Sequence, residues 1–541
     1  MSLSLTALDW VVCLGALLAS IFVGLWMSVR AQSGQSSAGF FLAGRSLTWP
    51  VVGASLFATN IGAEHLVGLS GDSYRYGICA GTVEFTTAIC LGFAAAVLLP
   101  YYIKNKVFTI PEFLEMRYGT AARTFFSGLM LVICIMTKTA FTLYAGAIVL
   151  NGLTGWDVMP TVAVLAGVVA AVTMIGGFTT VAYTDAIQTV IMLIGSGTML
   201  IIGLHKVGGW NALCAHAGPA MHMHKPYTDP NYPFWGVIMG AVYGGIFYWG
   251  MDQVNVQRML GARDLRESRW GAMFAVLLKL TPVFIFALPG VIAYVLSSGT
   301  LAGDDSKRTF VWLLNNLLPS GLRGLLLASL LAAMISSLLA IMNSISTLAV
   351  RDFLLRYRPN TSDRAQVHLG RIAILVASVF AIAAAYMVYK TPDGLYKYLQ
   401  TISIYLVMPI TPAIAFGIMS KRVTLKGAAA SVVVGLALAT VFVTDQLIHK
   451  PVGPDPAARL FPWLHKTLTL NYTYRGLWGT LCVIAVLLVV SEFTEKTSPD
   501  KLERTTIDWG GKIEPLEGLK DWRLQLACLG VITFFAYRLM W

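Results

Sequence analysis

Charge is what this chain has least of. Only 12% of its 541 residues are Asp, Glu, Lys or Arg, while 56% are hydrophobic, against about a quarter charged in an ordinary soluble domain. That shortage excludes a soluble multidomain enzyme of this length. Cysteine is scarce too, with seven residues of which Cys13, Cys90, Cys134, Cys482 and Cys528 sit in apolar settings. They offer neither a disulfide framework nor a metal-ligand spacing and are read as packing residues. No His-Glu-x-x-His or Gly-x-Ser-x-Gly signature is present, so the common metalloprotease and serine-hydrolase chemistries have no footing.

What the chain has instead is apolar length. Its mean hydropathy is +0.69, and runs close to the ~20 residues that cross a bilayer core recur from end to end, about fourteen in all. The first, Ala7 to Met27, has no basic residues ahead of it and no small-residue cleavage site after it, which predicts a spanning helix rather than a removed signal peptide. The expected fold class is an all-α polytopic membrane protein in a lipid bilayer. A net charge of +12 could point to nucleic acid, but the basic residues fall in alternate loops. These hold Arg30 and Arg45; Lys104, Lys106 and Arg117; Arg258, Arg263, Arg266 and Arg269; Arg351, Arg356, Arg358 and Arg364; and Lys421, Arg422 and Lys426. Orientation explains them: that side is cytoplasmic and both termini lie outside the cytoplasm. We expect a plasma-membrane location, no nucleic-acid partner and no obligate protein partner.

One span breaks the apolar rule. Trp49 to Ser70 carries Ala58-Thr59-Asn60-Ile61-Gly62-Ala63-Glu64-His65 in its middle, and polar groups at bilayer depth survive where they line a cavity or a substrate path. Asn60 and Gly62 predict that the helix unwinds there. A second defect, Tyr243-Gly244-Gly245 within Phe234 to Leu260, follows five spans later. Secondary transporters pair inverted repeats whose first helices are broken at the midplane, and the spacing fits two five-helix repeats. The expected division is an extra helix and loop over 1–47, a first repeat over 48–204, an extracellular loop over 205–233, a second repeat over 234–417 and three further helices over 418–541. His216, His222 and His224 in the 205–233 loop lack an acidic or cysteine partner at ligand spacing and are read as loop residues. The mixed-charge stretch Glu492 to Asp521 is read as a linker before the last helix.

Within the spans, Asn60, Glu64, His65, Glu84, Lys138, Asp185, Tyr248, Asp252, Lys279 and Gln400 need an explanation. A sugar requires a ring of donors and acceptors with an aromatic face beneath it, and this set with Trp249 supplies both. The competing reading of any one charge is a structural ion pair, because buried charges demand partners. Ala333, Ser336 and Ser337 stand at i, i+3 and i+4 on one helix face. Two hydroxyls and a carbonyl there, with carbonyls freed by a break at Ala58 to Ile61, would suit a hard cation such as sodium. Serine pairs in membrane helices also bond back to their own helix or join two helices.

Long phrases of this kind resemble the sodium/glucose cotransporter branch of the sodium-solute symporter family across most of the core. They include Phe41-Leu42-Ala43-Gly44-Arg45-Ser46, Gly53-Ala54-Ser55-Leu56-Phe57-Ala58, Asn60-Ile61-Gly62, Ile110-Pro111-Glu112-Phe113, Thr137-Lys138, Gly176-Gly177 and Tyr183-Thr184-Asp185. Tyr248-Trp249, Asp252-Gln253-Val254, Val256-Gln257-Arg258, Leu278-Lys279-Leu280, Ser336-Ser337-Leu338 and Asn343-Ser344 follow in family order. The resemblance implies the leucine-transporter-type fold and sodium-coupled transport of a hexose, glucose or galactose, by alternating access. It implies that Asn60, His65, Glu84, Lys279 and Gln400 bond the sugar hydroxyls. Tyr248 would stack beneath the sugar and serve as inner gate beside Trp249, with Leu69, Val83 and Tyr396 at outer-gate positions. The sodium ligands implied are the carbonyls of Ala58, Ile61 and Ala333 with the hydroxyls of Ser336 and Ser337.

Two departures follow from the same comparison of phrases. Gly245 replaces a polar residue often used near the sugar, and Leu339 and Ala340 stand where two-sodium members carry hydroxyls. One sodium per sugar is therefore expected, with Asp185 a coupling or structural residue. Other readings are a symporter for myo-inositol or another small solute, a sugar sensor without transport, and a membrane enzyme using Glu64, His65 or Asp185.

Overall fold

Lipid offers a backbone no hydrogen bonds, so a chain this apolar must satisfy its peptide groups within helices. The structure, a computed structural model, describes residues 5–62, 64–229, 231–301, 309–390, 405, 407–448, 472–509 and 516–540. Among these residues the regular structure is helical, apart from one isolated parallel bridge between Leu47 and Ala262. The membrane helices begin with α1 (Ala7–Arg30), the two halves of a broken helix α2 (Trp49–Asn60) and α3 (Ser70–Tyr76), then α4 (Ile78–Lys104), α5 (Thr120–Gly152) and α6 (Val158–Val207). A bent pair, α7 (Phe234–Gly250) and α8 (Gln253–Leu260), is followed by α9 (Leu265–Leu296), α10 (Leu322–Tyr357), α11 (Asp363–Lys390) and the short α12 (Ile410–Met419). The described chain closes with α13 (Leu425–Thr444), α14 (Tyr474–Glu492) and α15 (Trp522–Arg538).

Among the described residues nine helices are long and apolar enough to cross a membrane, or ten with the bent pair as one span. The expected fourteen differ from this partly because α6 is a fusion. A 50-residue helix would be ~75 Å long, more than twice the hydrocarbon thickness. Gly177 interrupts it with φ 57° and ψ −155°, leaving two stretches that each suffice for a crossing.

The first expected break is present: α2 stops at Asn60, and Ile61 and Gly62 are not helical. The second lies elsewhere. The helix runs unbroken through Tyr243-Gly244-Gly245 and bends by 51° after Gly250. Gly245 is small because a Cβ there would meet Cys90 Sγ at 2.5 Å, a close helix contact and not an unwinding. At Asp252 the carboxylate accepts from Val254 N (3.0 Å), so a new helix is capped and α7 cannot simply continue.

The core is deepest around α10, of whose apolar stretch 94% is enclosed, whereas α1 has only 28% enclosed and presents a wide face to lipid. Small residues let α1 press on two inner helices. A Cβ on Gly24 would meet Thr184 Oγ1 at 2.1 Å, and one on Gly324 would meet the Asp9 carbonyl at 2.2 Å. Asp9 Oδ1 accepts from Gly321 N (2.7 Å) and Gly324 N (3.1 Å), capping α10, and Ser28 donates to the Gly176 carbonyl (2.7 Å). Arg117, expected on a loop, is enclosed and donates to the carbonyls of Gly417 (2.9 Å), Ser420 (3.2 Å) and Val423 (2.9 Å). It thus caps the exposed carbonyl end of α12.

Gly177→Ala is expected to destabilise the protein by about 2 kcal/mol or more, since alanine is strained at that φ and its Cβ would lie 2.7 Å from the Phe40 carbonyl. The apparent melting temperature in detergent is the measurement, and an unchanged value would contradict this reading of the kink.

Candidate functional site

The end of α2 is chemically active backbone. A helix that stops inside a membrane leaves its last carbonyls without intrahelical partners and carries the negative end of the dipole. One of these, on Phe57, is taken by Ile61 N (3.1 Å). Ser337 on α10 faces the next ones: its Oγ lies 3.0 Å from the Thr59 carbonyl, 3.5 Å from that of Ile61 and 3.1 Å from that of Ala333. Four oxygens, from the end of α2, the unwound stretch after it and α10, therefore converge. The contacted carbonyl on that turn belongs to Thr59 and not to Ala58, which is fully buried one residue earlier.

Ser336, the other expected ligand, donates instead to Asp185 Oδ1 (2.6 Å). Its lone pairs stay available to a cation, and a carboxylate drawing on the proton makes the oxygen a better ligand. Asp185 is a junction. Its Oδ2 accepts from Ser55 (2.5 Å) and Thr59 (3.3 Å), both on α2, and lies 3.6 Å from Arg258 Nη2 on α8. Arg258 Nε also donates to Thr59 Oγ1 (2.7 Å). Both charged side chains are fully buried. Arg258 is therefore not one of the loop cations that orientation would explain. It serves as the buried counter-charge of Asp185, and Ser55, Thr59 and Arg258 are site residues that sequence reading passed over. The signal available was the rule that a buried carboxylate needs a partner, with Arg258 following three polar residues of the same short helix, Gln253, Asn255 and Gln257, all of them enclosed.

A second row begins at the same break. Lys279 on α9 bonds both the Asn60 amide oxygen and the Glu84 carboxylate, and Glu84 Oε1 meets His65 Nε2 at 3.3 Å. Gly62 N donates to His65 Nδ1 (3.4 Å), which leaves Nε2 to carry the proton toward Glu84. The row Asn60–Lys279–Glu84–His65 thus joins four chain segments through alternating donors and acceptors. A polyol hydroxyl can donate to Glu84 while accepting from Lys279, the pattern that sugar binding uses. Tyr248 interacts with the Asn60 side chain, is half-buried and packs edge-on against Trp249 with centroids 5.1 Å apart.

Beside Tyr248, Lys138 is paired with Asp252, and its ammonium sits 5.6 Å from the Tyr248 ring centroid. His65, Lys138 and the turn just after Lys279 belong to π-helical stretches, Glu64–Leu69, Ile133–Thr139 and Val283–Ala287. Such widened turns recur at functional sites. Leu69 is half-buried at the end of the first, and Val83 is 44% exposed on the turn that carries Glu84. Gln400, Tyr396 and the side chain of Glu64 lie outside the described residues. Of the histidines expected on a loop, His216 lies instead on a short helix (Trp210–Ala217) and bonds the Ala212 carbonyl (2.7 Å), and His224 packs at a tilt against Phe234.

Lys138→Ala would leave Asp252 buried without its cation and is expected to cost about 3 kcal/mol of stability, whereas Asp252→Asn added to it should recover part of the loss. Thermal unfolding of the two variants in detergent checks this. Equal melting temperatures for the single and double variants would refute it.

Known proteins are similar to this chain over most of its length. The human sodium/myo-inositol cotransporter is 31% identical over 546 residues, covering 93% of this chain and 74% of that protein. The zebrafish (Danio rerio) sodium/glucose cotransporter 4 is 33% identical over 519 residues, covering 90% of this chain and 78% of that protein. A solved Na+-coupled sialic acid symporter superposes with a TM-score of 0.75 at 21% identity, covering 91% of this chain and 99% of that one, so the two share the fold. A family model described as Sodium:solute symporter family matches residues 40–435, and the chain belongs to that family.

Proposed function

We propose that this protein moves a hexose, glucose or galactose, together with one sodium ion by alternating access in the plasma membrane. Family membership makes sodium the coupling ion. The reading rests on one observation: the unwound stretch at the end of α2 lends its carbonyls to Ser337 and its Asn60 side chain to Lys279. An ion that stiffens that stretch also sets the sugar row, and coupling of this kind is reciprocal. Sodium leaving the cradle then weakens the hold on the sugar. A potential of 100 mV adds roughly 2.3 kcal/mol per charge moved, enough to concentrate a neutral sugar.

The residues we assign to the sugar are Asn60, His65, Glu84, Lys279, Gln400, Tyr248 and Trp249, with Leu69, Val83 and Tyr396 on its outer side. Ser336, Ser337 and the carbonyls of Ala333, Ile61 and Ala58 or Thr59 are assigned to sodium, and Asp185 to coupling. The described helices can be grouped as α1, the elements from α2 to the second half of α6, those from α7 to the short α12, and the last three. That grouping supports our reading of two inverted repeats over 48–204 and 234–417, and the loop cations support a chain with both termini outside the cytoplasm. A myo-inositol substrate is the second reading, favoured by the named function of the human relative. Its ring of hydroxyls would use the same row.

Uptake of labelled glucose, galactose and myo-inositol into proteoliposomes, under an inward sodium gradient and a potassium control, tests the proposal. Sodium-driven accumulation of a hexose is expected, accumulation of myo-inositol alone would establish the second reading, and binding without accumulation would indicate a sensor. Ser337→Ala should raise the sodium concentration for half-maximal uptake roughly tenfold, the effect of losing about 1.4 kcal/mol of ion binding. Unchanged sodium dependence would remove the cradle from the mechanism. Glu84→Gln should raise the sugar concentration for half-maximal uptake by a similar factor, because the row loses a charged acceptor, with little change in the sodium requirement.

A further inference from the structure

The polar face of α10 does not stop at the serine pair. With 100° per residue, Ser336, Ser337, Asn343, Ser344 and Thr347 fall within an arc of roughly 120°, on a helix otherwise almost wholly apolar and enclosed. Ser346 points elsewhere, donating to the Gly370 carbonyl (2.9 Å). The helix opposite this arc is α8. Ser344 donates to Gln257 Oε1 (2.8 Å), Gln257 Nε2 donates to Thr347 Oγ1 (2.8 Å), and the adjacent Arg258 meets Thr59 and Asp185. A polar seam between α8 and α10 therefore runs from the level of the Ser337 cradle to Thr347, toward the C-terminal end of α10.

Asn343 lies midway, ~10 Å along the helix from Ser336. It is fully buried, and neither its amide oxygen nor its amide nitrogen has a hydrogen-bond partner among the described residues; Oδ1 of Asn255 on α8 is in the same condition. Leaving such groups unpaired costs about 1–3 kcal/mol each. The neighbours Ser344, Gln257 and Thr347 are hydrogen-bonded, and Arg258 Nη2, which has no hydrogen bond, is held by Asp185 at 3.6 Å, whereas Asn343 has neither kind of partner among the described residues. Neutral amide oxygens are ligands for a hard cation, and amide N–H groups hold its water.

We propose that Asn343 forms a transient station for a hydrated sodium ion travelling along the α8–α10 seam between the Ser337 cradle and the C-terminal end of α10. The inference rests on the sodium cradle proposed above and extends it to the path of release. The station is weak by construction. It carries no charge of its own, and Arg258 offsets the Asp185 carboxylate at the head of the seam, so an ion can enter and leave, as conduction sites require.

The test uses the full-length chain with Asn343→Leu, which removes the ligand at near-constant volume, and Asn343→Asp, which makes it a charged trap. Asn343→Leu is expected to slow sodium-driven uptake and sodium–sodium exchange about tenfold, equivalent to about 1.4 kcal/mol on the barrier. Equilibrium sodium binding to the purified protein should stay within about twofold of the original. Asn343→Asp should also slow turnover while tightening equilibrium sodium binding. Unchanged exchange in both variants would overturn the proposal, as would loss of equilibrium binding in step with rate for Asn343→Leu, which marks a resident ligand or a packing residue. Should Asn343→Leu fail to fold, Asn343→Asp decides by the same two readouts. Ser337→Ala, run alongside, reports on the cradle alone, so failure there is separable from failure of the station.

Discussion

A backbone carbonyl inside a membrane must find a partner, and ending a helix at Asn60 presents several that have none in their own turn. The solution adopted is to bring Ser337 of a distant, deeply enclosed helix against the carbonyls of Thr59 and Ile61. Everything else in the site hangs from that junction. Asn60, at the same break, projects its amide to Lys279 and so starts the row that ends at His65. Two candidate sites share a stretch of chain too short to be ordered for one and disordered for the other. On the proposed function, ion and solute binding favour each other through that shared stretch.

Three buried carboxylates each meet a cation from another part of the fold: Glu84 with Lys279, Asp185 with Arg258, and Asp252 with Lys138. Buried pairs contribute little net stability, because desolvation offsets their attraction, but a broken pair is costly. Their effect is to specify which helices sit together. Asp185 does most here, since its carboxylate touches α2 through Ser55 and Thr59, α10 through Ser336 and α8 through Arg258. A shift in any of the three elements must disturb that one group. The peripheral α1 reinforces the arrangement by capping α10 with Asp9 and bonding α6 through Ser28.

Much of this was legible in the linear chain. Hydropathy marked the spans, and the polar interruption at Asn60 marked the broken helix. The grouping of Asn60, His65, Glu84 and Lys279 followed from the cost of polar groups at bilayer depth together with the family phrases. Arg258 was not legible, because a basic residue near the end of an apolar run looks like any cytoplasmic loop cation until Asp185 is seen beside it. The second break was misplaced for a similar reason. A glycine pair suggests unwinding, yet Gly245 serves close contact with Cys90, and Asp252 caps the new helix instead.

By itself the sequence determined that the chain is a multi-span helical membrane protein of the sodium:solute symporter family, since apolar run length and local phrases are read residue by residue. Only the tertiary structure decided which oxygen faces which hydroxyl. Ser336 and Ser337 are neighbours on one turn, yet the first donates to Asp185, 151 residues away, and the second lies against Thr59, 278 residues away. Hydropathy is a local, additive property, whereas the pairing of a lone pair with a proton depends on how distant helices approach within 3 Å. No stretch of sequence contains that distance.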